Sequence, residues 1–142
     1  MKQKKILIVD DDPEMRLALS VRLRANSYDV CVAVDGVSAI AEARKQMPDL
    51  ILLDLGLPAG DGFTVLERLQ AMEALVHIPV LVVSGRNRLA NQERVLAANA
   101  QGFLQKPVKN SQLLEAIARI LLPQTEPVSP IYELDHRLTT AI

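Results

Sequence analysis

The stretch Asp49-Leu-Ile-Leu-Leu-Asp54 contains four consecutive apolar residues between two aspartates. A strand that is covered on one face alternates apolar and polar residues, whereas a strand that is buried on both faces reads as a continuous apolar run. This stretch therefore predicts a strand with two buried faces. Such strands are typical of parallel sheets that carry helices on both sides, so the stretch indicates an α/β fold.

Similar short apolar segments lie on both sides of this stretch, and longer segments of helical period separate them. Together with 49–54, the predicted strands are 5–10, 28–34, 78–84 and 102–106. Helices are predicted from Asp12 to about Asn26, from after Gly36 to before Pro48, from Phe63 to about Met72, up to about Asn99, and from about Ser111 to Leu122. Five strand–helix pairs predict a doubly wound domain with a five-stranded parallel sheet, helices on both faces, and a site at the carboxyl ends of the strands.

The spacing of apolar residues also predicts which helix faces are buried. In the first helix the apolar face consists of Met15, Ala18, Leu19 and Leu23, and Arg16, Ser20 and Arg24 lie elsewhere. The helix that begins at Phe63 is expected to pack through Phe63, Leu66 and Leu69. The last helix is expected to pack through Leu114, Ile117 and Leu121.

Length and composition exclude several classes of protein. The chain has 142 residues, about the size of one domain, and its 49% hydrophobic and 23% charged residues exclude a disordered chain. A net charge of −1 argues against direct binding to nucleic acid or to a membrane surface. The single cysteine, Cys31, cannot form an intramolecular disulfide, and no apolar stretch approaches the ~20 residues of a membrane span. We therefore expect a cytoplasmic protein.

The domain is predicted to cover residues 1–122, with a linker and a tail over 123–142. Three prolines within eight residues indicate the linker: Pro123, Pro127 and Pro130. Apolar residues then return at a helical spacing: Ile131, Leu134, Leu138 and Ile142. One interpretation is that this helical tail begins an output domain that the chain does not complete.

Acidic residues fall at the predicted strand ends. Asp10 and Asp11 end the first strand, and Asp54 ends the third. Carboxylates that converge in this way repel one another unless a cation joins them, and oxygen ligands in a small cleft suit Mg²⁺. Ser84 and Lys106 end the next two strands. Asp54 is then a candidate nucleophile toward phosphorus, with Lys106 and the Ser84 hydroxyl placed to contact a phosphoryl group.

Four motifs resemble those of the receiver domain of two-component response regulators, and the match runs from about Lys4 to Leu122. They are Ile-Val-Asp10-Asp11-Asp12, Leu-Asp54-Leu-Gly-Leu-Pro58-Ala-Gly60-Asp-Gly62, Val-Val-Ser84-Gly and Phe103-Leu-Gln-Lys106-Pro107. The resemblance implies a flavodoxin-like fold and a signalling role without turnover of an external substrate. It also implies phosphoryl transfer to an aspartate from a histidine kinase or a histidine phosphotransfer protein.

The resemblance assigns roles residue by residue. Asp54 resembles the phosphoacceptor, and Asp11, Asp54 and the backbone carbonyl of Gly56 resemble the Mg²⁺ ligands, with Asp10 acting through water; Mn²⁺ could substitute. Ser84 and Phe103 resemble a switch pair, in which the hydroxyl moves toward the phosphoryl group and the ring turns inward. Pro58 and Gly62 resemble residues that shape the loop beside the acceptor.

The switch would change the surface formed by the helix before Asn99, the strand 102–106 and the last helix. That surface would signal to a downstream effector or to an output domain, and dimerisation on phosphorylation is compatible with it.

Other functions remain open at this stage. The chain could be a docking module that works without phosphorylation, or the receiver portion of a larger hybrid kinase or transcription regulator. An aspartyl-nucleophile phosphatase of the haloacid-dehalogenase type needs a second acid two residues after the nucleophile, and that position holds Gly56.

Overall fold

A computed structural model of the chain describes residues 2–57, 62–85, 98–122 and 131–132. Its strands are β1 (Lys5–Val9), β2 (Asp29–Ala33), β3 (Leu50–Leu53), β4 (Val80–Ser84), β5 (Gly102–Gln105) and β6 (Ile131–Tyr132). Its helices are α1 (Pro13–Ala25), α2 (Gly36–Gln46), α3 (Gly62–Ala71) and, numbered within the described residues, α4 (Asn110–Leu121). The predicted helix that ends near Asn99 falls mainly on residues 86–97, outside the described residues.

The strands form one parallel sheet in the order β2-β1-β3-β4-β5-β6. The order reverses between β1 and β3, because the chain first builds outward from β1 to β2 and then crosses over to β3. In doubly wound sheets a ligand binds at such a switch point, outside the carboxyl ends of the strands. The predicted fold class is confirmed, and the sheet brings the ends of β1 and β3 next to each other.

Helices cover both faces of the sheet. One core cluster joins the sheet to α1 and α4 through Leu19, Leu23, Leu113 and Ile117. The other joins the sheet to α2 and α3 through residues such as Ile40, Phe63, Leu66 and Leu69. All four residues of β3 are buried, as its unbroken apolar sequence predicts.

The first helix begins directly after the acidic run. Asp12 is its N-cap, and the Asp12 carboxylate accepts a hydrogen bond of 3.0 Å from the amide of Glu14. Pro13 occupies the first turn, where its missing N–H costs no hydrogen bond. The cap fixes the start of α1 and thereby the direction in which the chain leaves β1.

The predicted buried faces of α1 and α4 need correction. In α1 Ser20 is buried, with 6% of its surface exposed, whereas Ala18 is exposed. In α4 the fully buried residues are Leu113, Ala116 and Ile117, while Leu114 and Leu121 are only partly buried. In both helices the buried stripe is rotated slightly from the face that apolar residues alone indicate, because a small Ser or Ala can fill a core position.

The tail differs from its prediction where it is described. Ile131 was expected to begin a helical pattern, but Ile131–Tyr132 is a short parallel strand on the outer edge of β5. The sheet therefore has a sixth strand beyond the five that were predicted, and residues 133–142 lie outside the described residues. No helix among the described residues is long and apolar enough to cross a membrane.

Candidate functional site

Three carboxylates meet at the carboxyl ends of β1 and β3. Asp10, Asp11 and Asp54 each offer an oxygen that lies within 4.8 Å of the others. The amide of Asp54 donates to the carbonyl of Val9 at 2.9 Å, so the parallel ladder itself brings the two strand ends together. Carboxylates this close repel one another by several kcal/mol at intermediate dielectric. The oxygen donors and the short separations fit one divalent cation such as Mg²⁺.

Asp10 is the most enclosed of the three carboxylates. Only 3% of the residue is exposed, and both of its carboxylate oxygens have partners. Oδ1 accepts the amide N–H of Asp12 at 3.0 Å, and Oδ2 accepts the ammonium of Lys106 at 2.9 Å. Asp11 is exposed and Asp54 is partly exposed. The arrangement therefore leaves Asp11 and Asp54 as the more accessible ligands.

Lys106 supplies the positive charge of the site. Its ammonium lies 2.9 Å from Asp10 Oδ2 and 3.5 Å from Asp54 Oδ2. Burial of the ammonium lowers its pKa, but the hydrogen bond to Asp10 and the charges of Asp54 and Asp10 outweigh burial, so the pKa of Lys106 is raised. Lys106 therefore stays protonated at neutral pH and offsets part of the carboxylate repulsion.

The acceptor candidate is held by the backbone that follows β3. The amide of Gly56 donates to Asp54 Oδ1 at 3.0 Å, which fixes the rotation of the carboxylate. Gly62, the first residue of α3, donates its amide to the carbonyl of Leu55 at 3.2 Å. A Cβ at Gly62 would lie 2.6 Å from the carbonyl oxygen of Asp54, so only glycine lets α3 start this close. Pro58, the other predicted loop residue, lies outside the described residues.

Ser84 and Phe103 lie on neighbouring strands, and both are fully buried at 0% exposure. Ser84 ends β4, and its carbonyl accepts the amide of Lys106 at 3.0 Å. Phe103 pairs with Val82 in the ladder and belongs to the core on the α2 and α3 side of the sheet. The two predicted switch residues are therefore linked by the pairing of β4 with β5, and the backbone of Lys106 is bonded to the end of the same pair of strands.

Arg16 is a site residue that the sequence analysis placed away from the core. It is half-buried, and its guanidinium donates to the backbone carbonyl of Asp10 at 2.8 Å. In the folded helix Arg16 precedes Ser20 and Leu23 by four and seven residues on the buried stripe of α1, a placement that the apolar pattern alone does not show. Arg16 ties α1 to the turn that presents Asp10 and Asp11.

A groove of about 220 Å³ adjoins the site between α1 and the loop before α4. Met15 and Leu19 line it on the α1 side, and Val108 and Leu113 line it on the α4 side. Lys106 also lines the groove, so the apolar surface leads directly to the charged site.

Comparison with protein families finds one that matches most of the chain. The model of the response regulator receiver domain matches residues 6–118. The chain is 39% identical over 122 residues to the DNA-binding dual master transcriptional regulator RpaA of Synechocystis, covering 86% of this chain and 50% of RpaA. It is 37% identical over 114 residues to the response regulator PleD of Caulobacter vibrioides, covering 80% of this chain and 25% of PleD. The chain thus spans half or less of these curated relatives.

Solved structures of the same kind superimpose on the fold. The chemotaxis protein CheY4 of Vibrio cholerae matches with a TM-score of 0.79 and 29% identity, covering 84% of this chain and 99% of CheY4. The receiver domain of sensor histidine kinase PA1611 from Pseudomonas aeruginosa matches with a TM-score of 0.77 and 28% identity, covering 84% of this chain and 98% of that domain. The latter structure has a magnesium ion coordinated in its active site cleft.

Proposed function

Because the chain belongs to the response regulator receiver family, we propose that its phosphoacceptor is Asp54. The observation that carries the proposal is the position of the Asp54 carboxylate, within 4.8 Å of two other carboxylates and 3.5 Å from the Lys106 ammonium. The phosphodonor is a phosphorylated histidine of a kinase or a phosphotransfer protein. The receiver acts as a signalling module that takes part in its own phosphorylation and dephosphorylation and does not turn over an external substrate.

The transfer exchanges one bond to phosphorus for another. An Asp54 oxygen forms the new P–O bond, the P–N bond to the donor histidine breaks, and the imidazole leaves with the electron pair and takes up a proton. The transition state is loose, so positioning and electrostatics supply most of the catalysis. The Gly56 amide orients the Asp54 carboxylate. The positively charged Lys106 ammonium, which contacts the carboxylates before the transfer, contacts the phosphoryl oxygens during it. The Ser84 hydroxyl is proposed to donate a hydrogen bond to a phosphoryl oxygen.

The metal ligands are proposed from the same geometry. Asp11, Asp54 and the carbonyl of Gly56 would hold Mg²⁺, or Mn²⁺ in its place. Asp10 is assigned to contact through water, because it is the most enclosed of the three carboxylates, with 3% of the residue exposed. When bound, the ion neutralises the carboxylates and the oxygens of the incoming phosphoryl group.

The partners follow from the surfaces around the site. The groove between α1 and the loop before α4 supports docking of the phosphodonor, since its apolar lining ends at Lys106. The signal is proposed to leave through β5 and α4 toward an effector protein or an output domain. We also propose a cytoplasmic location, because a single cysteine cannot form the intramolecular disulfides that are typical of proteins in oxidising compartments.

The test is phosphorylation by a small donor. We expect the protein to gain one phosphoryl group in intact mass when it is incubated with acetyl phosphate and Mg²⁺, and Asp54→Ala to gain none. Asp12→Asn is the matched control, because Asp12 is a neighbouring carboxylate outside the cluster and asparagine is an equally good N-cap. It should be phosphorylated like the wild type. An unchanged gain in Asp54→Ala would refute Asp54 as the acceptor, and no gain in the wild type would favour the docking module that works without phosphorylation.

A further inference from the structure

The outer edge of β5 has an occupant. Gly102 pairs with Ile131 and Phe103 pairs with Tyr132, and the two strands are parallel. A strand at the edge of a sheet presents unpaired N–H and C=O groups, and an extended segment of chain can bind to them through main-chain hydrogen bonds. Without Ile131–Tyr132, β5 would be that edge.

The chain is long enough for this pairing. Nine residues separate the end of α4 at Leu121 from Ile131, and nine residues span up to about 30 Å. Neighbouring strands lie only about 4.8 Å apart, so a connection of this length can reach the adjacent position. Because β5, α4 and β6 form a strand–helix–parallel strand unit, the addition continues the topology of the rest of the sheet.

We propose that the outer edge of β5 is a strand-docking surface, that its occupant is the chain's own segment Ile131–Tyr132, and that docking is coupled to phosphorylation. The coupling rests on the proposed function, in which Ser84, Phe103 and Lys106 respond to the phosphoryl group. The docking itself rests only on the pairing.

The geometry provides the route for this coupling. The backbone of Phe103 is held on one side by Val82 of β4 and on the other by Tyr132. Three residues later the same segment carries Lys106, whose amide is bonded to the carbonyl of Ser84. A phosphoryl group on Asp54 that draws Ser84 and Lys106 toward it would therefore shift β5. The edge of β5 that faces away from β4 is the edge that pairs with the tail strand.

The direction of the coupling follows from Phe103. Its ring is fully buried in the structure that has the tail strand paired, so the paired tail accommodates the inward ring. The phosphorylated switch is also assigned the inward ring. Docking of the tail and phosphorylation thus favour the same arrangement, and by linkage each must strengthen the other by the same factor.

The test uses the full chain with two pairs of substitutions. Ile131→Pro with Tyr132→Pro removes the N–H groups of the tail strand and disfavours pairing. Ile131→Val with Tyr132→Phe is the matched control, because it keeps strand-forming residues. Hydrogen exchange of residues 102–105 measures docking without any ligand. A beryllofluoride titration in Mg²⁺, followed by fluorine NMR, measures the coupling.

We expect the proline pair to exchange faster over 102–105 and to need about fivefold more beryllofluoride for half-saturation, with the control unchanged. Equal exchange in all three proteins would overturn the docking surface. Faster exchange with an unchanged titration would overturn the coupling. Failure of the wild type to bind beryllofluoride would instead count against the proposed function, and the exchange measurement would still decide whether the tail docks.

Discussion

Gly56 leaves the carboxylate of Asp54, the proposed acceptor, uncovered. It is exposed, and its amide is bonded to Asp54 Oδ1. A Cβ at this position would lie 3.5 Å from Oδ1 and 3.7 Å from Oδ2, which is ordinary van der Waals contact. A Cβ therefore fits here, and because Gly56 is exposed, a longer side chain would extend beside a phosphoryl group on Asp54 and hinder the approach of water.

We expect Gly56→Met to lengthen the half-life of the phosphorylated protein by about three- to tenfold, because it excludes water from the site. Gly56→Ala is the control, since its methyl group fits but is too short to cover the phosphoryl group. The half-lives are measured by intact mass after acetyl phosphate is removed. If methionine and alanine give the wild-type half-life, the exposure of Gly56 does not control hydrolysis.

Cys31 is the one cysteine of the chain, and its environment suppresses the thiolate. Burial raises the pKa of its thiol to about 11, against a smaller lowering effect of Lys5 and with small additions from Glu42 and Asp29. The thiol also lies 3.8 Å from the carbonyl oxygen of Ile6. Since the folded pKa lies above the unfolded value of 9.0, the contribution of the neutral thiol to stability is complete below pH 9.0 and is lost as the pH rises toward 11.

Alkylation rates test this environment directly. At pH 8 we expect iodoacetamide to modify Cys31 about a hundredfold more slowly in the native protein than in urea, because the thiolate fraction falls by that factor. Cys31→Ser, which should take up no label, checks that the label reports this thiol. Similar rates in the native and unfolded protein would contradict the buried thiol.

At the scale of elements, the contact between β3 and α3 determines the backbone around Asp54, the proposed acceptor. A Cβ at Gly62 would lie 2.5 Å from the Cα of Leu55 and 2.6 Å from the carbonyl of Asp54, and both are backbone atoms that cannot rotate away. At Gly85, directly after β4, a Cβ would meet nothing within 4 Å among the residues that the structure describes.

We expect Gly62→Ala to lower the free energy of unfolding by about 1–3 kcal/mol, since α3 must shift away from β3. Gly85→Ala is the matched control at another strand end and should change stability by less than about 0.5 kcal/mol. Urea unfolding of the three proteins measures both changes. Equal destabilisation by the two substitutions would mean that the close approach of α3 is not what requires glycine.

The elements also show what the sequence could predict. The strands were predicted because β3 and its neighbours are continuous apolar runs, and the start of α1 because Asp12 and Pro13 form a cap signal. Ser20 was misplaced because a small polar residue on a buried stripe leaves no apolar signal. The strand at Ile131 was missed because a strand of two residues is too short to show the alternation of apolar and polar residues that identifies a strand. Its pairing also depends on the edge of β5, which exists only in the folded sheet.

The same limit applies within the candidate site. The sequence predicted that Asp10, Asp11 and Asp54 converge, since all three follow parallel strands. It did not predict that the Lys106 ammonium lies closer to Asp10 than to Asp54. Lys106 and Asp10 are 96 residues apart in the chain, so the distance between their side chains depends on the folded geometry. The contact of Arg16 with the Asp10 carbonyl likewise depends on how α1 packs.

On the scale of the whole molecule, the folded core holds together charges that repel. The sheet and its two helical layers bury most of the apolar residues of strands β1 to β5, and this burial brings the three carboxylates within 4.8 Å. Lys106 offsets only part of their charge. Part of the folding free energy is therefore used to assemble the site, and this part can be recovered by removing a charge or by adding a cation.

Asp11→Asn separates these two effects. In EDTA we expect the variant to be more stable than the wild type by on the order of 1 kcal/mol, because one of three repelling charges is gone. Added Mg²⁺ should stabilise the wild type by about 2.7 kcal/mol at a hundredfold excess over the dissociation constant. The variant has lost a proposed ligand and should gain almost nothing. Thermal melts of both proteins in EDTA and in excess Mg²⁺ measure all four states.

Asp12→Asn is the control for this comparison, since it removes one charge from the adjacent residue while keeping the cap of α1. Because Asp12 lies outside the carboxylate cluster, this variant should respond to Mg²⁺ like the wild type. Asp11→Asn should instead melt higher without metal and show no change when metal is added. If Asp11→Asn melts lower than the wild type in EDTA and still responds fully to Mg²⁺, then Asp11 stabilises the fold rather than the metal, and the proposed ligand set is wrong.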